Sequence, residues 1–226
     1  MTAASAVSTT GLTKNYGDAP ALGPVDLTVA ANERVVLIGH NGSGKTTLLR
    51  LAAGLLDPTA GAVTLCGHAV ESLEARAAVS YLGDQPVFYD DLSVREHLEY
   101  VARLHGNDEW EPQATDLVER LGISERADEL PTTFSRGLRQ KAAIALAFVR
   151  PFELMLVDEP FVGLDQGGRE ALLVLLEEAH AAGAALLVAS HELQTVVAAQ
   201  RVVALRDGAI VFDGPPSEAD SDSLVR

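Results

Sequence analysis

The sequence predicts an α/β fold built around a largely parallel sheet, and two observations carry that prediction. First, three short apolar runs each close on polar residues: Val35-Val36-Leu37-Ile38 into Gly39, Leu154-Met155-Leu156-Val157 into Asp158, and Leu186-Leu187-Val188-Ala189 into Ser190-His191. Continuous apolar runs of this length bounded by turn residues read as strands buried on both faces. Second, segments of helical pattern, Lys45–Ala53, Ser135–Val149 and Arg169–Ala182, lie between them. Strands alternating with helices build a layered α/β architecture.

Taken in chain order, Leu27-Thr28-Val29 and Ala62-Val63-Thr64-Leu65, with turns such as Asp57-Pro58-Thr59, predict short antiparallel strands flanking the main sheet. Asn32 stands just before the first core strand, where a tight turn needs positive φ, which Asn tolerates better than most residues. From about Leu92 to Thr133 the apolar residues have helical spacing (Leu98, Val101, Leu104; Leu117, Val118, Leu121) and charge is dense. Gly106-Asn107-Asp108 and Glu111-Pro112 interrupt that stretch, which reads as a small helical insertion. The tail after Asp213, with Pro215-Pro216, reads as a frayed end.

At 226 residues and 47% apolar content, the chain fits one domain, 1–226, with a sizeable core. Its 17 basic residues against 32 acidic ones leave a net charge of −15. That balance excludes broad attraction to nucleic-acid backbones or anionic lipid. Lysine occurs only at Lys14, Lys45 and Lys141, so each position is informative. The single cysteine, Cys66, cannot form an internal disulfide and fits a reducing compartment. Met1-Thr2-Ala3-Ala4-Ser5 lacks the basic and apolar regions of a secretion signal. The longest apolar stretches, Ala142–Val149 and Ala181–Ala189, are about half of the ~18–20 residues a spanning helix needs. The expectation is a soluble, cytoplasmic protein.

Gly39-His40-Asn41-Gly42-Ser43-Gly44-Lys45-Thr46 matches G-x-x-x-x-G-K-[ST], with Thr47 directly behind it. Glycines let successive N–H groups turn inward around phosphates, Lys45 neutralises β/γ-phosphate oxygens, and the Thr46 hydroxyl ligates Mg²⁺. A helix starting at Lys45 adds its positive end. This composition yields roughly 0.002 chance matches, so a fortuitous glycine turn is set aside and the α/β fold becomes a P-loop NTPase fold. Asp158-Glu159-Pro160 then places two acids where a buried strand ends. There Asp158 would hold Mg²⁺, directly or through water, and Glu159 would take a proton from an attacking water. His191 closes the third strand at the same edge, where it either contacts the γ-phosphate and that water or caps the following helix. His191-Glu192-Leu193-Gln194-Thr195 lacks the second histidine of a zinc-protease motif.

These residues together resemble one family, the ATP-binding subunits of ABC transporters, from about Val7 to Gly214. Phe134-Ser135-Arg136-Gly137-Leu138-Arg139-Gln140 is similar to the family signature L-S-G-G-Q. Ser135 is a good N-cap there, while Arg136 and Leu138 depart from the pattern. The resemblance implies that Ser135 and Gly137 face the γ-phosphate bound by a partner ATPase subunit. It further implies that Gln85 contacts Mg²⁺ and links the core to the insertion, and that Asp165 crosses a dimer interface. Tyr16 would stack on adenine, unless it is an ordinary edge-strand aromatic. The resemblance divides the domain into a catalytic core with an N-terminal antiparallel β subdomain (1–85 and 134–226) and a helical subdomain (86–133). ATP and Mg²⁺ are the implied ligands. The implied partners are a membrane permease and a second copy, or a related ATPase, that joins on ATP binding. That would put the chain at the inner face of the cell membrane. The signature pattern resembles the exporter branch.

Two other classes fit the sequence less well. An ABC-type ATPase acting on nucleic acid would carry a long coiled-coil insertion, and a ribosome-acting one two such domains. Only about ninety residues separate Lys45 from Ser135 here, and the acidic charge also disfavours nucleic acid. A small GTPase or kinase of the P-loop class is disfavoured because no lysine follows an asparagine as guanine recognition by N-K-x-D requires.

Overall fold

The computed structural model describes residues 5–190 and 198–219. The N-terminal part forms a four-stranded antiparallel sheet. Its strands are β1 (Ser5–Tyr16), β2 (Ala19–Ala30), β4 (Ala60–Leu65) and β5 (His68–Ala69), in the order β2-β1-β4-β5. The predicted short strands at Leu27–Val29 and Ala62–Leu65 are its segments in β2 and β4. Sequence reading missed β1, whose Ser/Thr-rich run Ser5-Ala6-Val7-Ser8-Thr9-Thr10 carries little apolar signal. Thr9 explains how that run is tolerated in the interior: it is buried, and its hydroxyl donates to the Val25 carbonyl and accepts from the Leu27 N–H.

The second sheet contains the three predicted core strands. Its order is β10-β9-β3-β8-β7-β6, with β3 (Arg34–Ile38), β6 (Val79–Leu82), β7 (Leu154–Asp158), β8 (Ala185–Ala189), β9 (Arg201–Arg206) and β10 (Ala209–Gly214). All neighbours pair in parallel except β10 on β9. Burial on both faces is visible residue by residue in β3. Val36 and Ile38 join a core with α3 (Val94–Leu104), α4 (Glu111–Arg120), α5 (Arg136–Phe148) and α6 (Gln166–Ala181). Val35 and Leu37 face a second core, filled by the antiparallel sheet and α1 (Lys45–Ala52). A run apolar at every position, with no alternation, is what such two-sided burial requires.

Asn32 adopts the expected positive φ, 54°. The Leu92–Thr133 region is helical as predicted, and Trp110 lies in the core there, 4% exposed. α3 starts on a capping box in which Ser93 and Glu96 satisfy each other's backbone N–H groups. The predicted helix at Arg169 begins earlier, at Gln166, because the Asp165 carboxylate accepts from the Gly168 N–H and caps it. Past Asp213, β10 continues to Gly214 and a short 3₁₀ turn covers Pro216–Glu218 where a frayed end was expected. No helix among the described residues is long and apolar enough to cross a membrane.

Candidate functional site

The loop after β3 wraps around the start of α1, with positive φ at Gly39, Gly42 and Gly44. At Gly39 the need for glycine is steric as well as conformational. A Cβ there would lie 2.2 Å from the Leu205 carbonyl oxygen and 2.7 Å from Ser43 Oγ. The turn joining β9 to β10 braces the loop from behind, since the Gly208 N–H donates to the Ser43 carbonyl. Lys45, only 7% exposed, donates through Nζ to the carbonyls of Gly39 (2.7 Å) and His40 (3.2 Å). Burial pushes its ammonium below the usual lysine range, against the pull of Glu159 and Asp158.

Two acids close the site from β7 and the turn after it. Asp158 is fully buried, and neither carboxylate oxygen has a hydrogen-bond partner among the described residues. Burial raises its pKa to about 6, with the Thr46 hydroxyl acting in the opposite direction. Glu159 follows in a left-handed conformation (φ 45°), and its N–H donates to the Ala189 carbonyl at the end of β8. This uncommon geometry for a non-glycine residue accompanies a carboxylate whose Oε1 is 4.0 Å from Lys45 Nζ.

A cavity of about 630 Å³ opens over these groups, lined by Asn41 to Thr47 and by Glu159. Asp84 and Arg136 also line it, and neither was singled out as a site residue from the sequence. Gly39 and His40 supply their carbonyls to Lys45 and lie outside the lining. Gln85, expected at the metal, is exposed and lines a neighbouring groove, while Asp84 beside it reaches both. The Asp84 carboxylate accepts from Arg50 at 3.1 Å. Tyr16 ends β1, 54% exposed, with Lys14 Nζ 5.3 Å from its ring centroid, and does not line the cavity. Ser135 caps α5 by accepting from the Leu138 N–H, and the α5 start packs against the loop carrying Gly163. Neither Ser135 nor Gly137 lines the cavity; Arg136 between them does. His191 lies outside the described residues.

A glycine loop feeding a helix N-terminus at the carboxyl edge of a parallel sheet, with a buried lysine and two acids, defines a P-loop ATPase site. The ABC transporter family model matches residues 22–162. The ABC-type transporter ATP-binding protein EcsA of Bacillus subtilis is 37% identical over 195 residues, which are 84% of this chain and 79% of that protein. The macrolide export ATP-binding/permease protein MacB of Hyphomonas neptunium is 33% identical over 93% of this chain but only 35% of its own length. A solved ATP-binding subunit of an ABC transporter superposes with a TM-score of 0.88 at 31% identity, covering 96% of this chain and 97% of that one. A dimeric ATP-binding cassette bound to ADP and Pi shares the fold, with a TM-score of 0.84 at 24% identity over 93% and 98% of the two chains. The chain belongs to the ABC transporter family, as one of its ATP-binding, ATP-hydrolysing domains.

Proposed function

We propose that this chain powers a separate membrane permease, in the direction of export, by Mg²⁺-dependent ATP hydrolysis between two associated ATPase subunits. The observation that carries the catalytic part is the Asp158 carboxylate, buried beside a phosphate loop with no hydrogen-bond partner among the described residues. A buried carboxylate without a hydrogen bond is costly unless a cation completes it, and a hard divalent ion takes oxygen donors of this kind. Asp158 and the Thr46 hydroxyl would hold Mg²⁺, with Gln85 joining once its loop moves inward. Held there, the ion would supply positive charge to offset that of the phosphates.

The remaining chemistry falls to the chain's own residues. The N–H groups of Asn41 to Thr47 and the α1 dipole receive the phosphates, and Lys45 leaves the Gly39 and His40 carbonyls for the β/γ-phosphate oxygens. Glu159, aimed at the same space by its left-handed backbone, takes a proton from the attacking water. His191, which follows the β8 segment in the sequence, assists that proton transfer. Tyr16 stacks on the adenine. Ser135 and Gly137 act on the nucleotide of a second subunit, a reading in keeping with their position outside this chain's own cavity and with the dimeric state of the structural relative.

The permease part rests on the neighbouring groove of about 610 Å³ between the Tyr81–Phe88 segment, α3 and α5. Its apolar lining, with Val87 92% exposed at the rim, suits a short cytoplasmic helix. Asp84 belongs to both spaces and pairs with Arg50 in the groove, so a change at the phosphates has a short physical route to the partner. Export is favoured by the similarity to the macrolide export protein. The test is ATPase activity of the chain alone and with its permease in lipid. Val87→Asp should abolish stimulation by the permease and spare basal turnover; stimulation that survives this change and changes at Leu146 would refute groove docking.

A further inference from the structure

We propose that His97 is a positioning residue for coupling to the permease, whose neutral imidazole pins the wall of the apolar groove in the shape a helix docks against. This rests on the docking role given to that groove above. Every residue from Asp84 to Phe88 lines the groove, and the stretch belongs to no helix or strand. Among the described residues its backbone makes no hydrogen bond to other backbone. An irregular stretch of this kind keeps one shape only where other groups hold it. Two hydrogen bonds do so here. At one end the Asp84 carboxylate accepts from Arg50 at 3.1 Å. At the other, the Tyr89 N–H donates to His97 Nε2 at 2.9 Å.

The tautomer follows from the partners. A backbone N–H can only donate, so Nε2 accepts, and the ring proton sits on Nδ1, which donates to the Ser93 carbonyl at 2.8 Å. Both nitrogens are thus spent on backbone, one on the start of α3 and one on the groove wall. The ring is 3% exposed, on a helix whose first turn is already fixed by the Ser93–Glu96 capping box. Glu96, next to it in sequence, is turned to Ser93 and accepts from its N–H at 2.8 Å and its hydroxyl at 2.7 Å. Aromatic contacts add to the grip. Phe88 meets the imidazole edge-on with centroids 5.4 Å apart, and Tyr89 stacks on it at 5.9 Å and 26°. Tyr100, one turn along α3, meets the Tyr89 ring edge-on at 5.6 Å. So α3 holds one end of the wall through His97, while Asp84 at the other end reaches the phosphate cavity. Pinned in this way, the wall moves together with α3 when the phosphate end shifts.

The experiment compares the full chain with His97→Gln and His97→Leu. Hydrogen exchange at the Tyr89 amide and the imidazole nitrogen resonances are read on the chain alone, and ATPase activity both alone and with the permease in lipid. The parent should show a protected Tyr89 amide and a ring protonated at Nδ1. Glutamine can place its side-chain oxygen where Nε2 stands, so His97→Gln should keep the protection and stay within about twofold of the parent's stimulation. Leucine fills the space without an acceptor. His97→Leu should lose the protection and cut stimulation about fivefold, the worth of one hydrogen bond, with basal turnover unchanged. Parent-like stimulation in His97→Leu, stimulation in His97→Gln as low as in His97→Leu, or a parent ring protonated at Nε2 would overturn the proposal. Should His97→Leu lack basal turnover and so fail to fold, His97→Gln and the parent's Tyr89 amide decide: an unprotected amide in either refutes the pin. If Val87→Asp leaves stimulation intact, the groove reading falls first and this proposal with it.

Discussion

Replacing Asp158 with asparagine should stabilise the nucleotide-free protein while destroying its activity. The carboxylate is fully buried, lacks hydrogen-bond partners among the described residues, and has its pKa pushed up to about 6 by burial against an ordinary value of 3.8. Between those values the folded state keeps a proton that the unfolded chain has released, so this group's contribution to stability falls as pH rises from about 4 to about 6. Above that window the penalty is complete. Linkage over about two pH units gives roughly 1.5 kcal/mol by pH 5 and about 3 kcal/mol at pH 7.5. Asparagine does not titrate, so the Asp158→Asn advantage should grow by about 1–1.5 kcal/mol between those two pH values. For a chain of this size each 1 kcal/mol moves Tm by roughly 2–4 °C. The assay is thermal unfolding with EDTA at pH 5 and 7.5, with urea unfolding as the check on free energy. Comparing the variant with its parent at each pH cancels carboxylates shifted the other way, such as Asp165 and Glu96. A Tm for Asp158→Asn below the parent at pH 7.5, or a difference that does not grow with pH, would refute the reasoning. Saturating Mg²⁺ and ATP should reverse the order, because they stabilise only the chain that can bind them.

Lys45→Ala removes the charge facing the β/γ-phosphates and should abolish tight ATP binding by calorimetry; parent-like affinity would mean the loop is misassigned. Glu159→Gln should keep ATP binding, lose most turnover and accumulate an ATP-dependent dimer on size exclusion, since an amide holds a water but cannot take its proton. Gly137→Ala places a Cβ 2.5 Å from the Gly163 carbonyl and should cost roughly 1–3 kcal/mol, visible as a Tm lower by several degrees. Tyr16→Ala should weaken ATP and ADP alike, about 5–100-fold if the ring stacks on the base, whereas unchanged affinity for both would make Tyr16 an ordinary strand-end aromatic.

Local chemistry sufficed for much of this protein. The three two-sided strands announced themselves as unbroken apolar runs, the phosphate loop as glycines ahead of Lys45, and the start of α5 as Ser135 before a helical stretch. In each case the signal lies within a few residues, because backbone conformation and capping are set by near neighbours. β1 was not legible, since Thr9 is satisfied by Val25 and Leu27, sixteen and eighteen residues away. The early start of α6 was missed because the spacing of apolar residues does not register an Asp165 cap ahead of two glycines. Only the tertiary structure brought Asp84 into the phosphate cavity as well as the groove and left Gln85 on the groove alone, where the chain bends after β6. It alone also left the Asp158 carboxylate without a hydrogen-bond partner among the described residues and laid Arg136 over Gly163. Such features depend on which distant backbone comes within a few ångströms, and that distance is decided by packing.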